Sequence, residues 1–491
     1  MFRCSRVVCP YAVSRCNRAI LRLAAVVLLT TSAHATAATP VDQTKDAKLS
    51  GSTACAPISL DFHESADVDA FRNYDHAIAG LLEQENFAQL DCIADQARLQ
   101  KERFSGGVWK IGEIYTSLEK PQPGVHATQE DWNNHIARLK RWVAARPDSV
   151  TGRIALAEAS VTYAWDARGE GYSNTVSDSG WKLFYQRLEE AKSILNEAAQ
   201  LKTKCPEWYV VMQQIALGEG WQVESARGLF ERAVAFEPQY QSYYRLFAWF
   251  MLPRWYGEAG DASRFAQEVA DKVGGPQGDV LYYWIAAKVA CACDEPELLR
   301  FSFPRIQKGF EQLEKDYGPS MTGLNQLALI AVKAGDLVAA DAAFKRIGDT
   351  WDQETWKTHK YFEQNKSYAE QLAPFEQRKR TGSEEAAKNG QTPEGAYYGK
   401  KIDDQFVPYM RQCSQGAAND SKKFGFVIQI SEKGDLQYAD ADSLPTELSQ
   451  CLLKAVWMVK MDKGAPFPPP PHPAYWLQVH LDPGASYTAA H

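Results

Sequence analysis

The sequence has no metal-ligand spacing. His63, His76, His126, His135 and His359 lie apart, and there is no HExxH and no paired CxxC. A zinc site and a thioredoxin-type motif are therefore not indicated, and Cys291-Ala292-Cys293 is too close for the latter. It has no Gly-x-Ser-x-Gly elbow and no glycine-rich phosphate loop, which removes the signals of an α/β-hydrolase and of a nucleotide binder. Its carboxylates are scattered, with no spacing that singles out an acid–base pair. No catalytic residue, cofactor or metal is predicted. Past the first 35 residues no run is long and apolar enough to span a membrane. Positive charge is also short: 54 Lys and Arg face 61 Asp and Glu, for a net charge of −7. Such a chain repels nucleic acid and anionic surfaces.

What is present begins with an export signal over residues 1–35. Arg3, Arg6, Arg15, Arg18 and Arg22 form a positive leader, Leu23 to Leu29 starts an apolar stretch, and Ala33-His34-Ala35 offers a small-residue cleavage site. The apolar stretch is about half the roughly 20 residues of a spanning helix. The expected compartment is the periplasm or the exterior of a Gram-negative bacterium. Loss of five arginines takes the mature chain to about −12. Seven cysteines follow the signal: Cys55, Cys92, Cys205, Cys291, Cys293, Cys413 and Cys451. The number is odd, so at least one is free or pairs outside the chain. Cys413 and Cys451 are the two cysteines of the C-terminal region, and a disulfide between them is expected. For the pair at 291 and 293, one buried thiol and one bridge to Cys205 are expected. The pairing of Cys55 and Cys92 stays open.

The stretch that organises the remainder is Glu224 to Tyr240. Ala226, Phe230, Ala233 and Pro238 stand at the small, aromatic, small and terminating-proline positions of a tetratricopeptide-type helix. One such hairpin cannot bury its apolar face alone and needs neighbours. Residues 36–60 read as disordered, and residues 61–375 as a helical-repeat domain. Its helices are expected from Asp67, at Phe87–Phe104, Trp109–Leu118, Asp131–Arg146, from Ile154 to the Trp165 stretch, and at Trp181–Leu201. They continue at Trp208–Leu217, Tyr240–Leu252, Asp261–Val273 and Val280–Ala292, the last apolar nearly all round and so buried. A second repeat is expected over Leu324 to Ile347. Residues 376–396 are polar and read as a linker. Residues 397–483 read as a small α+β domain: strands at Phe424–Ile430, Leu436–Ala439 and Tyr475–Leu481, a helix at Leu444–Val459, an extended Phe467–Pro473, and a tail from 484. The fold class is thus mainly α, a tetratricopeptide-like array followed by a small α+β domain.

The most suggestive local chemistry is Trp165, Asp166, Arg168 and Glu170. An indole, an acid and a guanidinium at a helix end before a glycine-rich turn suit a ligand or partner surface. The plainer alternative is an Asp166–Arg168 pair that fixes the loop, with Trp165 in the core.

Phe104 to Trp109, Pro147-Asp148-Ser149, Trp165 to Gly169, Cys205 to Tyr209, Glu237 to Tyr240 and Gly274 to Gly278 resemble a bacterial domain-of-unknown-function family, number four thousand and thirty-four. That resemblance implies an exported, tetratricopeptide-like helical protein and transfers no catalytic residue. From about Tyr397 to Pro483 the chain looks like the TonB/TolA C-terminal fold, through Phe426 to Ile430, Gly434, Cys451, Pro468-Pro469-Pro470 and Trp476 to Leu481. TonB itself has a membrane anchor and a long proline-rich spacer. Here a cleavable signal and a short linker stand in their place, which implies a binding module rather than energy transduction. The expected function is a periplasmic scaffold or adaptor for a protein or peptide partner in the envelope. The alternative is an envelope enzyme, hydrolase-like, acting on a cell-wall or exported polymer through the Trp165 region.

Overall fold

In a computed structural model, the described residues are 68, 70–121, 127–169, 171, 173–290, 295–398, 400, 424–431, 436–441, 451, 453–454 and 475–481. The expected signal over residues 1–35, residues 36–60, Glu170, Cys55, Cys291, Cys293, Cys413 and the proline run lie outside them. The chain is mainly helical, with a small antiparallel sheet near its C-terminus. It forms two compact units. The first comprises residues up to 334 together with 349–357; the second comprises 335–348 together with 358–491. Among the described residues no helix is long and apolar enough to cross a membrane.

The first unit runs through α1 (Ala70–Glu83), α2 (Phe87–Leu99), α3 (Lys110–Leu118), α4 (Gln129–Ala145), α5 (Val150–Arg168), α6 (Asp178–Ala198) and α7 (Glu207–Glu219). It continues with α8 (Val223–Phe236), α9 (Gln241–Phe250), α10 (Asp261–Val273), α11 (Gly275–Ala290), α12 (Glu295–Leu298), α13 (Phe303–Tyr317) and α14 (Met321–Ala334). The helix ends follow local chemistry. A capping box opens α4: the Thr128 hydroxyl accepts from Asp131 N, and the Asp131 carboxylate accepts from Thr128 N. Ser149 caps α5, its hydroxyl accepting from Gly152 N at 2.8 Å. The organising aromatic does what its spacing predicts. Phe230 stacks on Phe247 of α9, ring centres 5.0 Å apart, and meets Phe265 of α10 edge-on at 5.2 Å, while Ala226 and Ala233 are buried beside it. One ring thus ties three helices.

In the second unit stand α15 (Leu337–Ile347) and α17 (His359–Asn389); between them α16 (Gln353–Trp356) belongs to the first. The sheet is formed by β1 (Phe424–Ile430), β2 (Leu436–Ala441) and β3 (Tyr475–Leu481) in the order β2-β1-β3, both pairings antiparallel. Val427 faces Asp440 on one side and Gln478 on the other. A bulge interrupts the first pairing between Gln429 and Ile430.

Several expectations change here. The polar stretch read as a linker from residue 376 is helix as far as Asn389, because α17 is the helix that backs the sheet. Arg378 donates to Gln429 Oε1 at 2.6 Å, Lys379 pairs with Asp440 at 2.8 Å, and Asn389 Nδ2 donates to Trp476 O at 2.8 Å. Ala386, Val427 and Trp476 form the core beneath, with Tyr438 at its edge. Helices α12, α13, α16 and α17 were not anticipated, and the expected repeat at Leu324–Ile347 divides between the two units after α14. Of the expected helix at Leu444–Val459, residues 451, 453 and 454 are described and helical.

Candidate functional site

The predicted patch sits at the C-terminal end of α5. Trp165 is half-buried, edge-on to Phe184 at 4.9 Å and to Trp255 at 5.7 Å. Arg168 lies over the rings of Trp165 and Trp181, at 5.5 and 5.4 Å, and its Nη1 donates to the carbonyls of Gly169 and Gly171, each at 3.1 Å. The loop is therefore fixed through carbonyl oxygens. The Asp166 carboxyl is exposed and raised from its ordinary range by partial burial, against the pull of Arg187. Glu170 lies outside the described residues. Among the cysteines, Cys205 is a free, buried thiol, which corrects the expected bridge to Cys291 or Cys293. Its sulfur sits 3.5 Å from the Tyr115 hydroxyl, deep between α3 and α7, and burial pushes its pKa up. Cys92 and Cys451 are not free thiols. No group of three or more His, Cys, Asp or Glu side chains suited to a metal ion is found among the described residues.

A different set of residues carries the unusual chemistry. Glu113 of α3, Glu158 of α5, Glu207, Gln213 and Gln214 of α7, Gln241 and Arg245 of α9, and Lys288 of α11 are all buried. These helices pack as a series: α3 on α5 and α7, α5 on α7, α7 on α9, α9 on α11. The charges feel one another across it. Glu207 acts on Glu158, Glu113 on Arg245, and Arg245 on Lys288. Buried polar atoms ordinarily find partners. Among the described residues Glu158 Oε2, both amide atoms of Gln213, Gln241 Oε1 and Arg245 Nε have none, while Gln214 bonds to the Glu158 carboxyl group.

Glu207 is the best-anchored member. It follows Pro206 at the start of α7, and its carboxylate accepts a hydrogen bond from the Tyr240 hydroxyl. Gly112 makes room for this pair: a Cβ there would stand 2.8 Å from the Tyr240 oxygen. Trp109 packs edge-on to Tyr240 at 5.1 Å and donates from Nε1 to Gln239 O at 3.1 Å. Burial pushes Glu207 up to about 7, against the opposing pull of the Tyr240 hydrogen bond. Burial, with Glu207 adding to it, holds Glu158 well above the usual carboxylate range. On the other side burial takes Arg245 down to about 10 and Lys288 down to about 7. Taken together, the series offers carboxyl groups that hold a proton near neutrality, amides that both donate and accept, and two buried cations.

A cavity of about 130 Å³ lies between α1, α3 and α4, lined by Ser117, Lys120, Asp131, Asn134, His135 and Arg138 among others. His135 Nε2 bonds the Leu118 carbonyl at 2.9 Å, and burial takes its pKa down to about 4. It is a neutral, structurally committed imidazole.

None of the polar series was singled out from the sequence. A signal was there: Glu158, Arg245 and Lys288 each stand alone in helical stretches that are otherwise apolar or aromatic, ALAEASV, YYRLFAWF and WIAAKVA. No protein-family model, curated protein or solved structure matches the chain.

Proposed function

We propose that this is an exported envelope scaffold whose helical unit binds an extended segment of a protein partner. The observation that carries the reading is the series of buried amides and charges with unpartnered atoms across α5, α7 and α9. A buried polar atom left without a partner costs about 1–3 kcal/mol, so a set of them is better explained by a partner that satisfies them than by packing. An extended peptide presents alternating N–H and C=O groups, which glutamine side chains can meet in either sense. The small α+β unit, similar in element order to a TonB C-terminal module, adds a second place for strand addition at a sheet edge. In the same reading residues 1–35 are a cleaved signal and Cys413 pairs with Cys451 in the oxidising periplasm.

The test is titration calorimetry of the full mature chain against a library of unstructured peptides, beside Gln213→Leu/Gln214→Leu. Expected is binding by the natural chain and at least a tenfold loss in the variant, with its melting midpoint unchanged or raised. No binding in the natural chain, or equal binding in both, removes the reading. Turnover of a cell-wall polymer that is lost in Asp166→Asn with the melt intact would replace it with the enzyme alternative.

A further inference from the structure

Helices α9 and α11 place two cations and two indoles on a common square. Arg245 and Trp249 stand four residues apart on α9, and Trp284 and Lys288 four apart on α11, so each pair shares one helix face. The pairing runs across the helices. The Arg245 guanidinium lies 5.5 Å from the Trp284 ring centre, and Lys288 Nζ lies 4.4 Å from that of Trp249. Trp284, Arg245 and Lys288 are buried, whereas Trp249 is half-buried and exposed Arg254 lies 5.8 Å from its ring. The square therefore has a dry floor and one side toward solvent, and a further positive charge stands at that side.

Arg245 opposes the charge of Lys288; Lys288 has a further partner of its own, whereas neither indole offers Arg245 a countercharge. Glu113 acts on Arg245 from α3, and Glu119 acts on Lys288. Among the described residues Arg245 forms no ion pair, and its Nε, fully enclosed, has no hydrogen-bond acceptor. A guanidinium is a planar array of five donors that matches a carboxylate in two parallel hydrogen bonds. Folding a chain around such a group without an acceptor is costly, and removing it for an apolar side chain is commonly neutral or stabilising. Retention of an unpaired, buried arginine next to a lysine is what an anion site looks like before its anion arrives. The flat indole walls suit the planar carboxylate and the carbon chain attached to it.

We infer that the Arg245–Lys288 square between α9 and α11 binds a carboxylate of the ligand, either the C-terminal carboxylate of a peptide or an acidic side chain. This rests on the peptide-binding reading for its source, but the site itself is testable without any peptide. The full mature chain is melted in sodium acetate and in sodium chloride at equal ionic strength, beside Arg245→Met and Lys288→Met. Acetate is expected to raise the midpoint of the natural chain and not of either variant. In chloride Arg245→Met is expected to melt at or above the natural chain. No acetate effect on the natural chain overturns the inference, as does an acetate effect kept in both variants. A chloride midpoint well below the natural chain in Arg245→Met makes the arginine a structural element and also overturns it. A sulfate effect without an acetate effect makes the site one for tetrahedral anions and overturns the carboxylate assignment. Where a peptide binds, its free-acid form is expected to bind at least tenfold tighter than its C-terminal amide, with the preference lost in Arg245→Met. If the amide binds equally and a glutamate-bearing amide binds tighter, the source is an acidic side chain. If both bind alike with no acetate effect, the carboxylate site fails while the peptide reading stands.

Discussion

Glu207 and Tyr240 show how a single side chain can set the pH response of a helical unit. The Glu207 carboxyl, ordinarily near 4.5, is pushed to about 7 by burial, more than the Tyr240 hydroxyl pulls it back. The folded chain thus keeps a proton that the unfolded chain has already released. Stability from this group is fully present below about pH 4.5 and is lost as pH rises through about 7, at up to about 1.4 kcal/mol per pH unit. His135 works in the opposite sense between about 4 and its ordinary 6.5, gaining stability for the fold as pH rises. The informative quantity is therefore the difference between the natural chain and Glu207→Gln. The variant is expected to melt higher than the natural chain at pH 8 and to lose that advantage at pH 5, read by circular dichroism at both values. An equal difference at the two values would assign Glu207 an unshifted carboxylate. At this scale the sequence was poorly legible. Trp165, Asp166 and Arg168 stand out because indole, acid and guanidinium are close in the chain, whereas Glu158, Gln213 and Arg245 are assembled from three helices and have no local pattern. The one readable trace, a lone charge inside an apolar helix, is a statement about burial that becomes a site only when neighbours are known.

Among elements, legibility followed the size of the buried side chains. Helix α10 matches its expected bounds because Phe265 and Val269 mark its face and Gly260 and Gly274 bracket it. Strands β1 and β3 were read from short β-branched and aromatic runs, and their bounds agree. Helix α13 carries Phe303, Ile306, Phe310 and Leu313 at helical spacing, so its signal is present in the sequence. Helix α17 is a different case. Its buried residues are Phe362, Ala369, Ala373, Gly382 and Ala386, mostly too small to register as an apolar stripe, and its exposed side is Glu, Lys, Arg and Gln. A polar composition resembles a linker until a sheet is laid against its small-residue face. Gly382 is where that face is tightest, since a Cβ there would stand 2.3 Å from the Trp476 indole. In an open helix Gly→Ala gains about 1 kcal/mol. Here overpacking costs about 1–3 kcal/mol, and the indole is held by its neighbours and cannot swing clear at no cost. Gly382→Ala is expected to lower the stability of the second unit by about 1–2 kcal/mol, seen as a lower urea midpoint. A higher midpoint would mean that α17 is not seated on the sheet at this point.

For the whole molecule, the division into units does not follow chain order. Residues 335–348 belong with the sheet, and 349–357 return to the first unit before α17 begins. A boundary placed by composition at residue 375 instead cuts through α17. No single cut in the chain separates the units, because in chain order each has a segment that falls between two segments of the other. One side chain makes four hydrogen bonds in the tie between 349–357 and the first unit, three of them to that segment. Asn325 of α14 is fully buried. Its Nδ2 donates to the carbonyls of Met321 and Thr350 at 2.9 and 3.0 Å. Its Oδ1 accepts from Asp352 N at 3.1 Å and from Trp356 Nε1 at 2.9 Å. Asp352 in turn caps α16 through Thr355 N at 3.0 Å. An amide is needed here because the segment presents both donors and an acceptor to the same point, and leucine of similar volume offers neither. Asn325→Leu leaves the Asp352 amide and the Trp356 indole nitrogen buried and unpaired, at about 1–3 kcal/mol each. The expected result is a loss of about 2–5 kcal/mol from the first unit and faster amide hydrogen exchange across 349–357, while exchange within β1 and β3 is unchanged. Faster exchange in the strands as well would show that the two units unfold as one, and unchanged exchange across 349–357 would show that the segment is held by something other than Asn325.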